Sequence, residues 1–130
     1  MPRFTTLIVD DNTVVRESVA ELLRTHFPAM AVVQAGNSDE ALDQVFRLTP
    51  DLILMDIKLP GQNGLQVTRR IRSQPAQQAV VVILSGNDLP EYRDAARRHG
   101  AEFFLSKSLS SGHDLLQVVQ SVYTRKLQAG

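Results

Sequence analysis

The sequence predicts an α/β protein, a doubly wound parallel sheet of five strands carrying five helices. Short β-branched or aliphatic runs alternate with longer segments of helical period, the pattern of successive βα units. Runs such as "AVVVIL" (79–84) are apolar at consecutive positions, as strands covered on both faces require; an antiparallel sheet with one wet face would alternate more cleanly. At 130 residues the chain fits one domain, long enough to bury a core and short for two.

The first strand is expected over 4–9, "FTTLIV", and it ends at two adjacent aspartates, Asp10 and Asp11. In the helix that follows, Val15, Val19, Leu22, Leu23 and Phe27 share one face at a 3.6-residue period, and Pro28 ends it. The second strand, "AVVQA" over 31–35, leads to a helix opened by Ser38 as its cap, with Asp39 and Glu40 in the first turn. Ala41, Leu42, Val45 and Phe46 should face inward there, and Pro50 lies beyond its end. The third strand, "DLILM" over 51–55, precedes the weakest helix, about 64–73, with Leu65, Val67 and Ile71 to bury and "SQPAQQ" to close it. The fourth strand, "AVVVILS" over 79–85, is followed by a helix from Pro90, a good first helical residue, to Gly100, a good terminator. That helix buries little beyond Tyr92, Ala95 and Ala96. The fifth strand, "EFFLS" over 102–106, must place Phe103 and Phe104 on opposite sides of the sheet. A last helix over 111–126 buries Leu115, Val118, Val119 and Val122, with Ser111 and Asp114 as a capping pair. The domain is expected over 1–126, with 127–130 as a frayed tail.

Fourteen basic residues balance fourteen acidic ones, with a pI near 6.8, so there is no net attraction to nucleic acid or to an anionic membrane. The absence of cysteine excludes disulfides, thiolate metal sites and cysteine nucleophiles, and fits a cytoplasmic protein. No secretory segment opens the chain, and its longest apolar run is far too short for a bilayer. A soluble, unprocessed protein without a membrane partner is expected.

In an open α/β sheet the functional crevice lies outside the carboxyl ends of the strands. Those ends carry Asp10 and Asp11, Asp56, Ser85 and Lys107. Carboxylates packed together repel, and some would protonate unless a cation neutralised them. Oxygen-only ligands favour Mg²⁺, with Mn²⁺ as an alternative, and Mg²⁺ characteristically shares a phosphate. Lys107, the Ser85 hydroxyl and backbone N–H groups around Ile57 and Gly86 would meet the remaining phosphate oxygens. Asp56 can itself accept a phosphoryl group as an acyl phosphate. Blander roles compete: Asp11 as a helix cap, Ser85 as a loop opener, Lys107 as a solvated surface residue. His26, His99 and His113 stand near helix ends, where a cap or dipole role is favoured over a metal or catalytic one. The basic run "RDAARRH" (93–99) is a solvated helix face or a partner surface.

Taken together, "VDD" (9–11), "LILMDIKLPGQNGL" (52–65), "VVVILSG" (80–86) and "GAEFFLSK" (100–107) resemble the receiver domain of two-component response regulators over nearly the whole chain. The resemblance implies a flavodoxin-like receiver fold with strand order 2-1-3-4-5. It implies Asp56 as phosphoacceptor, supplied by a phosphohistidine on a sensor histidine kinase or phosphotransfer protein. It implies Mg²⁺ held by Asp10, Asp11, Asp56 and the backbone carbonyl of Lys58, with Lys107 on the phosphoryl oxygens. Ser85 matches the switch hydroxyl, and Phe104 matches the aromatic switch, in place of the frequent tyrosine or histidine. Pro60 and Gly64 match the loop after the phosphoacceptor strand, and Lys58 and Asn87 the positions that tune phosphoryl lifetime. The family lysine is usually followed by a cis proline, whereas Ser108 follows Lys107 here, leaving that peptide cis or trans. A non-proline residue at this point is shared by some receivers joined to a C-terminal helix-turn-helix, which suggests that class of parent.

The expected function is a phosphorylation-switched signalling module, not an enzyme, that assists its own phosphorylation and dephosphorylation. Its changed surface, by resemblance helix four, strand five and helix five, would bind a target or form a homodimer, with no direct nucleic-acid contact. Two rival readings are a Mg²⁺-dependent aspartyl-phosphate phosphatase or phosphotransferase, and a receiver that binds partners without phosphorylation.

Overall fold

The computed structural model describes residues 3–86, 89–107 and 112–129. Five strands, β1 (Thr5–Val9), β2 (Ala31–Ala35), β3 (Leu52–Met55), β4 (Val80–Ser85) and β5 (Phe103–Ser106), alternate with five helices, α1 (Thr13–His26), α2 (Ser38–Leu48), α3 (Gly64–Arg72), α4 (Pro90–Arg98) and α5 (Gly112–Ala129). Every pairing is parallel, in the order β2-β1-β3-β4-β5. This is the expected fold and strand order, and each strand ends where the sequence places its end. Because β1 lies between β2 and β3, the winding reverses beside it, and a crevice opens at the carboxyl ends of β1 and β3.

Alternate strand residues feed two cores. Leu7, Val9, Ile53, Met55, Val81 and Ile83 pack with Val45, Val67, Ile71 and Ala96 of α2, α3 and α4. Ile8, Leu52, Leu54, Val80, Val82 and Leu84 pack with Leu23, Val119 and Val122 of α1 and α5. Phe104 joins the first core and Phe103 the second, on opposite sides as expected. Strands β3 and β4 are buried throughout and β1 nearly so, whereas the edge strands β2 and β5 are mostly half-buried.

Several local expectations are corrected. Ser38 is not the cap of α2: Asn37 is, its side chain accepting from the Glu40 N–H at 2.8 Å. Phe46 does not face inward but is 46% exposed. It lies about 90° round the helix from the centre of the Ala41/Leu42/Val45 stripe, and α2 packs on β1 and β2, beyond which there is no further strand among the described residues to bury it. The α1 face is as expected, with Leu23 and Phe27 buried and Val19 and Leu22 half-buried against the same core, though Val15 is only half-buried and Ala20 is buried as well. Helix α3, expected to be the weakest, opens with a full capping box between Asn63 and Gln66. Helix α4 ends as expected at Gly100, whose φ of +104° allows the N–H of Ala101 to reach the Ala96 carbonyl at 3.0 Å. Helix α5 continues to Ala129, beyond the expected end at Lys126. Ser111, Asn87 and Ser108, with the peptide at Lys107–Ser108, lie outside the described residues. No described helix is long and apolar enough to cross a membrane.

Candidate functional site

Strand register assembles the site. β1 and β3 pair from Thr6↔Leu52 to Val9↔Met55, so the next residues, Asp10 and Asp56, leave the sheet side by side. The Asp56 N–H donates to Val9 at 2.9 Å and the Asp10 N–H to Ala35 at 3.1 Å, extending the ladder through both residues. β4 and β5 pair as far as Ser85↔Ser106, and the Lys107 N–H then donates to the Ser85 carbonyl at 2.7 Å. Four strand ends thereby present polar side chains to one cleft of about 560 Å³, lined by Asp10, Asp11, Asn12, Asp56, Ile57, Lys58, Ser85, Gly86, Tyr92 and Lys107.

The Lys107 ammonium sits between the two buried carboxylates, 2.6 Å from Asp10 Oδ2 and 3.2 Å from Asp56 Oδ2. The second oxygen of Asp10 accepts from the Asn12 N–H at 2.9 Å. Asp11 is exposed and does not cap α1, because Asn12 does, accepting from the Val15 N–H at 3.2 Å. One oxygen from each of Asp10, Asp11 and Asp56 lies within 4.8 Å of the others. Three hard carboxylate donors with no sulfur or imidazole among them fit a hard divalent cation.

Of the residues expected at the site, Asp10, Asp11, Asp56, Lys58, Ser85 and Lys107 all line the cleft. Phe104 is set back in the core on the α4 side, half-buried, with the Arg93 guanidinium 4.8 Å over its ring. His26 Nδ1 lies 3.0 Å from the Leu22 carbonyl and His99 Nδ1 2.7 Å from the Ala95 carbonyl, both helix-end roles. Three supporting residues were not legible in the sequence. Arg16 donates to the Asp10 carbonyl at 2.8 Å and to Gln34 Oε1 at 2.9 Å, tying α1 to the ends of β1 and β2. Ser38 accepts from the Gln62 N–H at 2.9 Å and donates its own N–H to Pro60 at 3.2 Å, tying α2 to the loop after Asp56. Tyr92, read as core, reaches the cleft. No short motif marks these residues, since each meets partners supplied by a different element.

Burial raises the Asp56 carboxyl above its ordinary 3.8; Lys107 opposes the rise and Asp10 adds to it. Burial alone would lower the Lys107 ammonium, but its contacts with Asp10 and Asp56 outweigh that and raise it. A carboxyl whose folded pKa is raised subtracts stability wherever it is ionised, and the penalty disappears as pH falls through the folded pKa towards the unfolded value. Asp56→Asn is therefore expected to stabilise the metal-free protein at pH 7 and to lose that advantage near pH 4. Urea unfolding at both pH values checks this, and equal gains at both would refute the burial argument.

The chain matches the response regulator receiver domain family over residues 6–120. It is 38% identical over 102 residues to the transcriptional activator protein ExaE of Pseudomonas putida, covering 78% of this chain and 47% of that protein. It is 32% identical over 117 residues to the response regulator GacA of Pseudomonas viridiflava, covering 89% of this chain and 52% of that one. The chain thus spans about half the length of the curated relatives it matches. Among solved structures, a LuxR-family two-component response regulator from Aurantimonas superposes with a TM-score of 0.82 at 30% identity, covering 91% of this chain and 83% of the other.

Proposed function

From a chain that belongs to the response regulator receiver domain family, we propose a signalling module that accepts a phosphoryl group on Asp56 from a sensor histidine kinase or phosphotransfer protein. The observation that carries this reading is the placing of the Lys107 ammonium against Asp10 and Asp56 at the paired ends of β1 and β3. An Asp56 oxygen attacks phosphorus as the P–N bond to the donor imidazole breaks, and the electron pair leaves with the imidazole nitrogen, which takes a proton. Lys107 neutralises charge on the transferred group, and the Ser85 hydroxyl with the N–H groups of Ile57 and Gly86 would meet its other oxygens.

Asp10, Asp11, Asp56 and the Lys58 carbonyl would hold Mg²⁺, or Mn²⁺ in its place. When bound, the ion draws off charge as the phosphoryl group moves. New contacts from the phosphoryl group to Ser85 and Lys107 exist in only one conformation, so they shift a two-state equilibrium. Phe104 is the internal reporter in this reading: moving it inward would strip Arg93 from its ring. The receiver unit is taken as residues 1–126, cytoplasmic, making no direct nucleic-acid contact and forming a homodimer or binding a target once phosphorylated. The relative named as a transcriptional activator supports a DNA-directed output through a separate helix-turn-helix domain.

Intact mass after incubation with acetyl phosphate, with and without Mg²⁺, tests the reading on wild type and Asp56→Ala. One phosphoryl adduct, dependent on Mg²⁺ and missing from the variant, is expected. Multiple turnover of a small phosphate ester would instead indicate the phosphatase. No adduct and no beryllofluoride binding would indicate a module that works unphosphorylated.

A further inference from the structure

Tyr92 is the third residue of α4, and it faces two ways. Its ring packs against the core formed under α2, α3 and α4, and it also lines the cleft that contains Asp56, Ser85 and Lys107. Apart from Ile57, every other described residue lining that cleft is polar, charged or glycine. Tyr92 and Ile57 are thus the two side chains with large apolar surfaces among the described lining residues. Ile57 follows Asp56 directly and is buried, whereas Tyr92 reaches across from a separate element.

An acyl phosphate on Asp56 is lost when a water oxygen bonds to phosphorus as the bond from phosphorus to the Asp56 oxygen breaks. The carboxylate leaves with that electron pair, and the water gives its proton to phosphate or solvent. Attack must come in line, from the side away from Asp56. Asp56 is only 8% exposed, so the attacking water enters through the cleft, which Tyr92 lines from α4. Excluding that water prolongs a reactive intermediate.

We infer that Tyr92 restricts the approach of water to phosphorylated Asp56 and so sets how long the phosphoryl group survives. This rests on Asp56 being the phosphoacceptor, and it assigns lifetime control to a residue outside the loop positions of Lys58 and Asn87. The neighbouring Arg93 covers the Phe104 ring at 4.8 Å. The first turn of α4 therefore holds the site with one residue and the aromatic switch with the next. A shift of that turn alters water access and the Phe104 environment together.

The test uses the whole chain, loaded with acetyl phosphate and Mg²⁺, freed of donor, and followed by intact mass. Tyr92→Phe should keep the wild-type half-life to within about twofold, because the ring remains, and Tyr92→Ala should shorten it about tenfold. Tyr92→Leu should fall between them, and it carries the comparison if the alanine variant does not fold. Equal half-lives across the series, or a longer one in Tyr92→Ala, overturn the inference. A merely structural tyrosine would lower the melting temperature and leave the half-life alone.

A second readout is built into the composition. The chain has two tyrosines and no tryptophan, so Tyr123→Phe leaves Tyr92 as the single strong fluorophore. Tyr123 stacks edge-on against Phe4 and Phe27 at 4.9 and 5.3 Å, contacts that a phenylalanine keeps. Tyr92 emission should change in step with adduct formation, and unchanged emission with the adduct in place would remove Tyr92 from the site. Absence of any adduct on the wild type is a separate outcome: it defeats the phosphoacceptor reading, and this inference with it.

Discussion

Gly64→Ala is expected to destabilise the protein by about 3 kcal/mol and to impair phosphorylation of Asp56, although Gly64 touches no substrate. After β3 the chain loops through residues 56–63 and turns back, so that the Gly64 N–H donates to the Ile57 carbonyl at 2.7 Å. A β-carbon on Gly64 would overlap the backbone carbonyl of Asp56 and crowd the Met55 side chain at 2.9 Å. Backbone cannot yield as a flexible side chain can, so either α3 or the Asp56 peptide must shift. A shift of the peptide misplaces the carboxylate that has to align with the incoming phosphoryl group. Gly86→Ala is the control: it lines the same cleft, yet an added β-carbon there meets nothing within 4 Å. Its stability should stay within about 0.5 kcal/mol of wild type. Urea titrations of the two variants decide the matter, and similar midpoints would sink the argument.

Lys107→Met is expected to bind Mg²⁺ about tenfold more tightly than wild type while being phosphorylated about a hundredfold more slowly. The opposite signs follow from one geometry. The ammonium neutralises Asp10 at 2.6 Å and Asp56 at 3.2 Å. A divalent ion needs those same oxygens, so its binding must displace the ammonium from at least one carboxylate. Without the lysine that competition vanishes, and a tenfold gain corresponds to about 1.4 kcal/mol. The metal-free variant should be less stable, since Asp10 is only 3% exposed and loses its counter-charge. The Lys107 side chain is 25% exposed, so solvent screening keeps that loss to roughly 1–2 kcal/mol. Added Mg²⁺ should raise the melting temperature of the variant more than that of wild type. Phosphorylation slows because a fixed positive charge on the transferred group is gone. Mg²⁺ titrations followed by tyrosine emission, with adduct rates by mass, measure both; unchanged or weaker Mg²⁺ binding would contradict the competition.

The helix interiors show where local reading stops. Leu65, Val67 and Ile71 are buried where periodicity puts them, because α3 joins the core that contains Ile53, Met55, Val81 and Ile83 of β3 and β4. Phe46 is not, because α2 packs on β1 and the edge strand β2, and periodicity cannot tell a central helix from a flanking one. Ser38 has the residue type of a cap, but Asn37 takes that role. Ser38 is freed to hold the loop after Asp56, which is distant in sequence. Tyr92 reads as an apolar core residue for the same reason: helical period shows that it points inward, without showing that the inward side is partly open.

What the sequence determined by itself was the alternation of strands and helices, and hence the parallel sheet and the meeting of Asp10, Asp11, Asp56, Ser85 and Lys107 at its carboxyl edge. Apolar runs are local, and a strand's direction places the residue that follows it. Only the tertiary structure decided that Lys107 rests between two carboxylates, that Arg16 and Ser38 brace the loops around them, and that Tyr92 walls the cleft. Those contacts join residues from different elements, and their distances depend on how the helices settle on the sheet, which no local period encodes.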